Sequence, residues 1–86
     1  MITEIGETVT VGAVFDPAQG PGHGIIPKWF IWNGRRHTIE RVTFTWKVRD
    51  GQAIFHHFAV TSGANLYELT YNAALLEWKL MNVSSI

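Results

Sequence analysis

Valines at 9, 11 and 14 sit among β-branched neighbours, broken by Gly12, and predict a strand over 9–15 with an irregularity at that glycine. Residues 16–26 then carry Pro17, Gly20, Pro21, Gly22 and Gly24 and read as a loop, because Pro and Gly interrupt regular structure and no periodic signal competes. Pro27 to Trp32 predicts a second strand. It ends in Trp32-Asn33-Gly34-Arg35, whose Asn-Gly pair supplies the two positive φ angles of a type I′ hairpin turn. That register sets Phe30 opposite His37 and Lys28 opposite Ile39, so Phe30, Trp32, His37 and Ile39 share one face.

The third strand runs from Arg35 to about Arg49, and its phase changes midway. Ile39 is odd-numbered, whereas Val42, Phe44, Trp46 and Val48 are even, and one period-2 strand cannot place both sets on the same side. A β-bulge near residues 40–41 repairs the phase and bends the sheet. Around Asp50-Gly51 a hairpin follows, and a three-residue loop is the register that gathers Val42, Trp46, Ile54, Phe58 and Val60 on one side. Ser62-Gly63-Ala64-Asn65 is the next turn. Leu66 to Tyr71 then points Tyr67, Leu69 and Tyr71 inward, and Leu76 to Val83 does the same with Leu76, Trp78 and Leu80. No helical period appears. The expected fold is all-β: about six antiparallel strands, with a five-stranded meander over 27–83, forming a small barrel or rolled sheet.

Composition narrows the setting. With 86 residues the chain has room for one domain, and 47% hydrophobic against 16% charged residues is enough to build a core. Cysteine is absent, which removes disulfides, thiolate metal sites and a Cys nucleophile, and points to the cytoplasm. Neither a signal peptide nor an apolar run of membrane-spanning length is expected, so no membrane partner is.

The formal charge is zero but unevenly spread: residues 1–27 sum to −3, residues 28–49 to +5 and residues 50–86 to −2. The balance argues against bulk nucleic-acid binding, and the local excess keeps a small anionic site open.

The run Trp32-Asn33-Gly34-Arg35-Arg36-His37, then Val42, Trp46-Lys47, Asn65-Leu66-Tyr67-Glu68-Leu69 and Trp78, resembles a group of short, uncharacterised bacterial all-β proteins. They share a Trp-x-Gly-Arg turn, a Tyr-Glu-Leu strand and a closing Trp strand, and are similar to small domains associated with Y-family translesion DNA polymerases. The resemblance covers roughly residues 27–82. It implies the fold and a DNA context, and it brings no catalytic residues. His37 stands where that pattern more usually has another aromatic ring.

Two binding readings come from the residues themselves. With Val42, Phe44 and Trp46 pointing in, Arg41, Thr43, Thr45, Lys47 and Arg49 point out, beside Phe55, His57 and Ala59. Together with Arg36, the cations Arg41, Lys47 and Arg49 and the rings of Phe55 and His57 suit single-stranded nucleic acid or another anionic partner. An ordinary solvated face accounts for the same residues. Alternatively, Trp29, Ile31 and Phe55 form an apolar patch that the roll of the sheet buries or a protein partner covers, leaving monomer and homodimer both open. His56 and His57 are adjacent and point to opposite faces, so no metal site is expected, although His37 and His56 with Glu68 are the conceivable ligands. The glycines at 20–24 lack the Lys-Ser/Thr ending of a phosphate loop. No cofactor and no enzymatic activity are expected, since neither a nucleophile elbow nor a clustered acid pair is present.

Overall fold

In the computed structural model, which describes residues 1–19 and 24–86, the chain forms one seven-stranded antiparallel sheet. The strands are β1 (Ile2–Phe15), β2 (Ile25–Trp32), β3 (Arg35–Thr38), β4 (Arg41–Asp50), β5 (Ala53–Ser62), β6 (Asn65–Asn72) and β7 (Glu77–Ser85). Their order across the sheet is β3-β2-β1-β7-β6-β5-β4. The sheet rolls without closing into a barrel, so β3 and β4 are its two edges.

The Asn33-Gly34 turn forms as its chemistry requires, with φ of 54° and 70° and Trp32 paired to Arg35. Phe30 lies opposite His37, and their rings stack at 4.9 Å and 14°. The irregularity at Gly12 is a register shift between Gly12 and Ala13. β1 is longer than the alternation suggests, because Ile2 to Glu7 adds a second stretch paired to β7.

The phase change in the long third segment is resolved in two steps. The chain first leaves strand geometry at Ile39-Glu40, which makes seven strands rather than six. Ile39 N–H donates to the Lys28 carbonyl of β2, next to one edge, and Glu40 N–H donates to the Thr61 carbonyl of β5, next to the other. One peptide link therefore straddles the two edges of the sheet. The register then shifts between Val42 and Phe44. The Thr43 hydroxyl donates to the Ala59 carbonyl at 3.1 Å, which pins this bulge to β5.

Buried inside the roll are Phe30, Phe58, Val60, Tyr67, Leu69, Tyr71, Trp78 and Leu80. Tyr67, Leu69 and Tyr71 alternate inward as the sequence pattern requires, and Trp78 and Leu80 face them from β7. Leu76 does not join them. It sits in the turn before β7 with φ 53° and is 77% exposed, because the strand begins one residue later. The 50s hairpin also differs from the expected three-residue loop: Asp50 pairs with Ala53 across a two-residue loop, so Trp46 faces His57 rather than Ile54.

No helix among the described residues is long and apolar enough to cross a membrane. Most of the Gly20–Gly24 loop lies outside the described residues.

Candidate functional site

The bulge at Thr43 decides what β4 presents. Before it, Val42 pairs with the buried Val60 and packs on the core, while Arg41 faces outward opposite Thr61. Beyond it the phase is inverted. Thr45, Lys47 and Arg49 share a face with Phe58, His56 and Ile54, on the inner side of the sheet. Phe44, Trp46 and Val48 turn to the outer side, opposite Ala59, His57 and Phe55. Phe44 is 64% and Val48 43% exposed.

This arrangement corrects the single-face reading. Phe55 and His57 lie on the side of the sheet opposite Lys47 and Arg49. Strict alternation of Val42, Phe44, Trp46 and Val48 reads as one buried stripe, and a single extra residue splits it. Arg36 stands apart from both groups on β3, opposite Ile31, with its guanidinium 4.4 Å from the centre of the Trp29 ring.

The alternative patch does not assemble either. Trp29 and Ile31 are on β2, and three strands separate that strand from Phe55 on β5. Trp29 is half-buried between Gly12 and Arg36, so little of its ring is offered to a partner. Phe55 instead lines a hollow of about 260 Å³ on the outer face with Val48, His57, Thr70, Asn72 and Met81.

On that outer face Trp46 stacks on His57 at 4.9 Å and 14°, with Phe44 5.5 Å further along. Beside them, His57 Nδ1 donates to Glu68 Oε2 at 3.2 Å, and Asn82 Nδ2 donates to Glu68 Oε1 at 3.0 Å. Glu68 is thus held by β5 and β7 together, and its partner is His57 rather than His37 or His56. The sequence carries a signal for this pair: the Gly63-Ala64 turn places Ala59 opposite Glu68, which leaves His57 one diagonal step away on the same side. Among the described residues no three His, Asp or Glu side chains gather where they could hold a metal ion.

The inner side of β4 borders the open seam of the roll. β3 pairs only with Trp29–Trp32, so the start of β2 extends past it towards β4. Pro27 lies in that stretch and has no N–H to offer an incoming strand. A cleft of about 140 Å³ opens there, lined by Ile25 of β2, Thr45, Trp46 and Lys47 of β4, and His56, His57 and Phe58 of β5. Its histidine is harder to protonate than a free imidazole: burial lowers the His56 pKa, and Lys47 and then His57 push it the same way.

No protein-family model matches the chain, and comparison with curated proteins and with solved structures finds no match. The resemblance of the Trp32–His37 and Asn65–Leu69 motifs therefore stands on those residues alone.

Proposed function

We propose that this protein is a non-catalytic binding module that takes an extended, acidic polypeptide segment along β4. The observation that carries the reading is the two-sided character of this edge strand. Ten residues long, β4 is paired on one side only, with Phe44, Trp46 and Val48 on one face and Thr45, Lys47 and Arg49 on the other. An added strand also alternates its side chains, so a segment with apolar residues on one face and carboxylates on the other matches β4 position by position.

Charge argues for a partner rather than a second copy. β4 carries Arg41, Lys47 and Arg49 against Asp50 alone, so pairing it with itself doubles an excess of positive charge along the junction. Single-stranded nucleic acid is the weaker reading. Its phosphates and bases are best met by cations and rings on one face, and here the rings and two of the three cations are on opposite sides.

The test is an amide NMR titration with a short peptide of alternating Glu and Val, at low and moderate salt, beside a parallel titration with oligodeoxythymidine. Peptide-induced shifts confined to 41–50 and 53–61, weakening with salt and lost in Arg49→Glu, are the expected result. Binding of the oligonucleotide without binding of the peptide overturns it.

A further inference from the structure

The cleft at the seam combines features that the rest of the surface keeps apart. Lys47 and His56 are direct cross-strand partners, which sets their Cβ atoms roughly 4.5–5.5 Å apart. Thr45 is two residues before Lys47 on the same face and adds a hydroxyl. Ile25 and Phe58 supply apolar walls, Phe58 being buried. Among the described residues that line it there is no carboxylate. The space is close to the ~150 Å³ that holds a benzene-sized guest in an apolar cavity, so it has room for a group of about six heavy atoms.

We propose that this cleft is a carboxylate site, in which Lys47, His56 and Thr45 hold the carboxylate and Ile25 and Phe58 contact a short apolar chain. The chemistry has two sources: a free short-chain carboxylic acid, or the Glu or Asp side chain of the strand that β4 takes up. The second source rests on the function proposed above; the first does not.

The groups facing His56 define how the site responds to pH. Lys47 approaches from β4, the buried Tyr71 from β6 with its ring 6.3 Å away, and His57 is its neighbour on β5. None of them is a carboxylate, so among the described residues nothing that faces His56 balances a charge on it. A bound carboxylate does. It favours the imidazolium, and by linkage the imidazolium favours the carboxylate by the same factor. Near neutral pH Lys47 and Thr45 act alone, and on acidification His56 adds a second charge-assisted hydrogen bond.

Titrating the intact protein with sodium propionate, followed by backbone amide and histidine side-chain NMR on the acid and alkaline sides of the His56 titration, reads this directly. The expected result is saturable shifts at Ile25, Thr45, Lys47, His56 and Phe58, with affinity for the ionised carboxylate, after allowing for propionate's own protonation, at least about fivefold higher on the acid side, the scale of one added charge-assisted hydrogen bond. Saturating propionate raises the His56 pKa of the unaltered protein, a readout that needs no variant. Lys47→Gln loses the binding, and His56→Gln keeps the alkaline-side affinity but loses its pH dependence.

Absence of saturable shifts on the acid side overturns the proposal, as does unchanged affinity in Lys47→Gln. Equal binding of inorganic phosphate, which has no chain for Ile25 and Phe58, overturns it too. Should propionate fail while the Glu-Val peptide binds, the cleft loses this role and the strand-binding reading stands. Propionate binding without peptide binding does the reverse: the cleft keeps its role for free acids and the strand-binding reading falls.

Discussion

The indole of Trp29 occupies the space that a side chain at position 12 would need. A Cβ built on Gly12 would meet Cε2, Nε1 and Cζ2 of that ring, on the outer face where β1 and β2 pair. The backbone at Gly12 is not in the left-handed region, so the glycine is required by the ring rather than by its own φ.

Gly12→Ala is therefore expected to cost about 1–3 kcal/mol, the usual scale of overpacking, read as a fall in the urea midpoint. The double variant Gly12→Ala with Trp29→Leu separates sterics from backbone effects. If the clash is the cause, the two losses combine to less than their sum.

His37 offers a gain instead. Its Nε2 is buried with no hydrogen-bond partner among the described residues, and its ring stacks on Phe30 with Trp32 and Tyr67 close by. An unpaired buried polar atom is a cost that an apolar ring avoids. His37→Phe should stabilise the protein by about 0.5–1.5 kcal/mol and raise Tm by several degrees in a scanning calorimeter. A lower Tm would mean that the imidazole has a role beyond stacking.

Thr43 sets the faces of β4. Thr43→Val removes its hydroxyl bond to Ala59 but keeps the residue count, and should cost only about 0.5–1.5 kcal/mol. Deleting Thr43 forces a choice between turning Val42 off the core and exchanging the faces of Phe44 and Lys47. The deletion should cost well over twice as much as the substitution, in keeping with a one-residue slip of a half-buried strand. Denaturation curves for the two variants, measured side by side, give the ratio.

Stability should also fall in mild acid. The folded His56 pKa lies below the ordinary value of 6.5, so in the window beneath 6.5 the unfolded chain binds more protons than the folded one. The contribution of His56 is therefore fully present above about 6.5 and is lost as pH falls through the folded value. Urea titrations on either side of that window should show the loss, and it should shrink in His56→Gln.

Much of the fold is legible in the sequence because local chemistry settles it. Asn33-Gly34 and Gly63-Ala64 fix their hairpins, and the alternation through Tyr67, Leu69 and Tyr71 marks the strand whose inner face is the core. β4 misleads because its outward and inward residues are both apolar on one phase, so composition gives no sign of where the extra residue falls. The bulge is fixed by a tertiary contact, the Thr43 bond to β5, which no pattern within β4 encodes. For the same reason the sequence marks Lys47 as a binding residue but gives it the wrong neighbours: its partner is His56, across the ladder, rather than His57.

The peptide link between Ile39 and Glu40, with one residue bonded to β2 and the other to β5, has a consequence for how the chain folds. It divides the strands into two local meanders, β1 to β3 and β4 to β7, in which every pairing joins neighbours in sequence. Among the described residues, β1 with β7 is the single pairing that does not, bringing Ile2 beside Ser84. The longest loop closure of folding is thus one event, the docking of the first strand against the last. The two halves meet at residues 39 and 40, and the core draws on both, with Phe30 from the first and Phe58, Leu69 and Leu80 from the second.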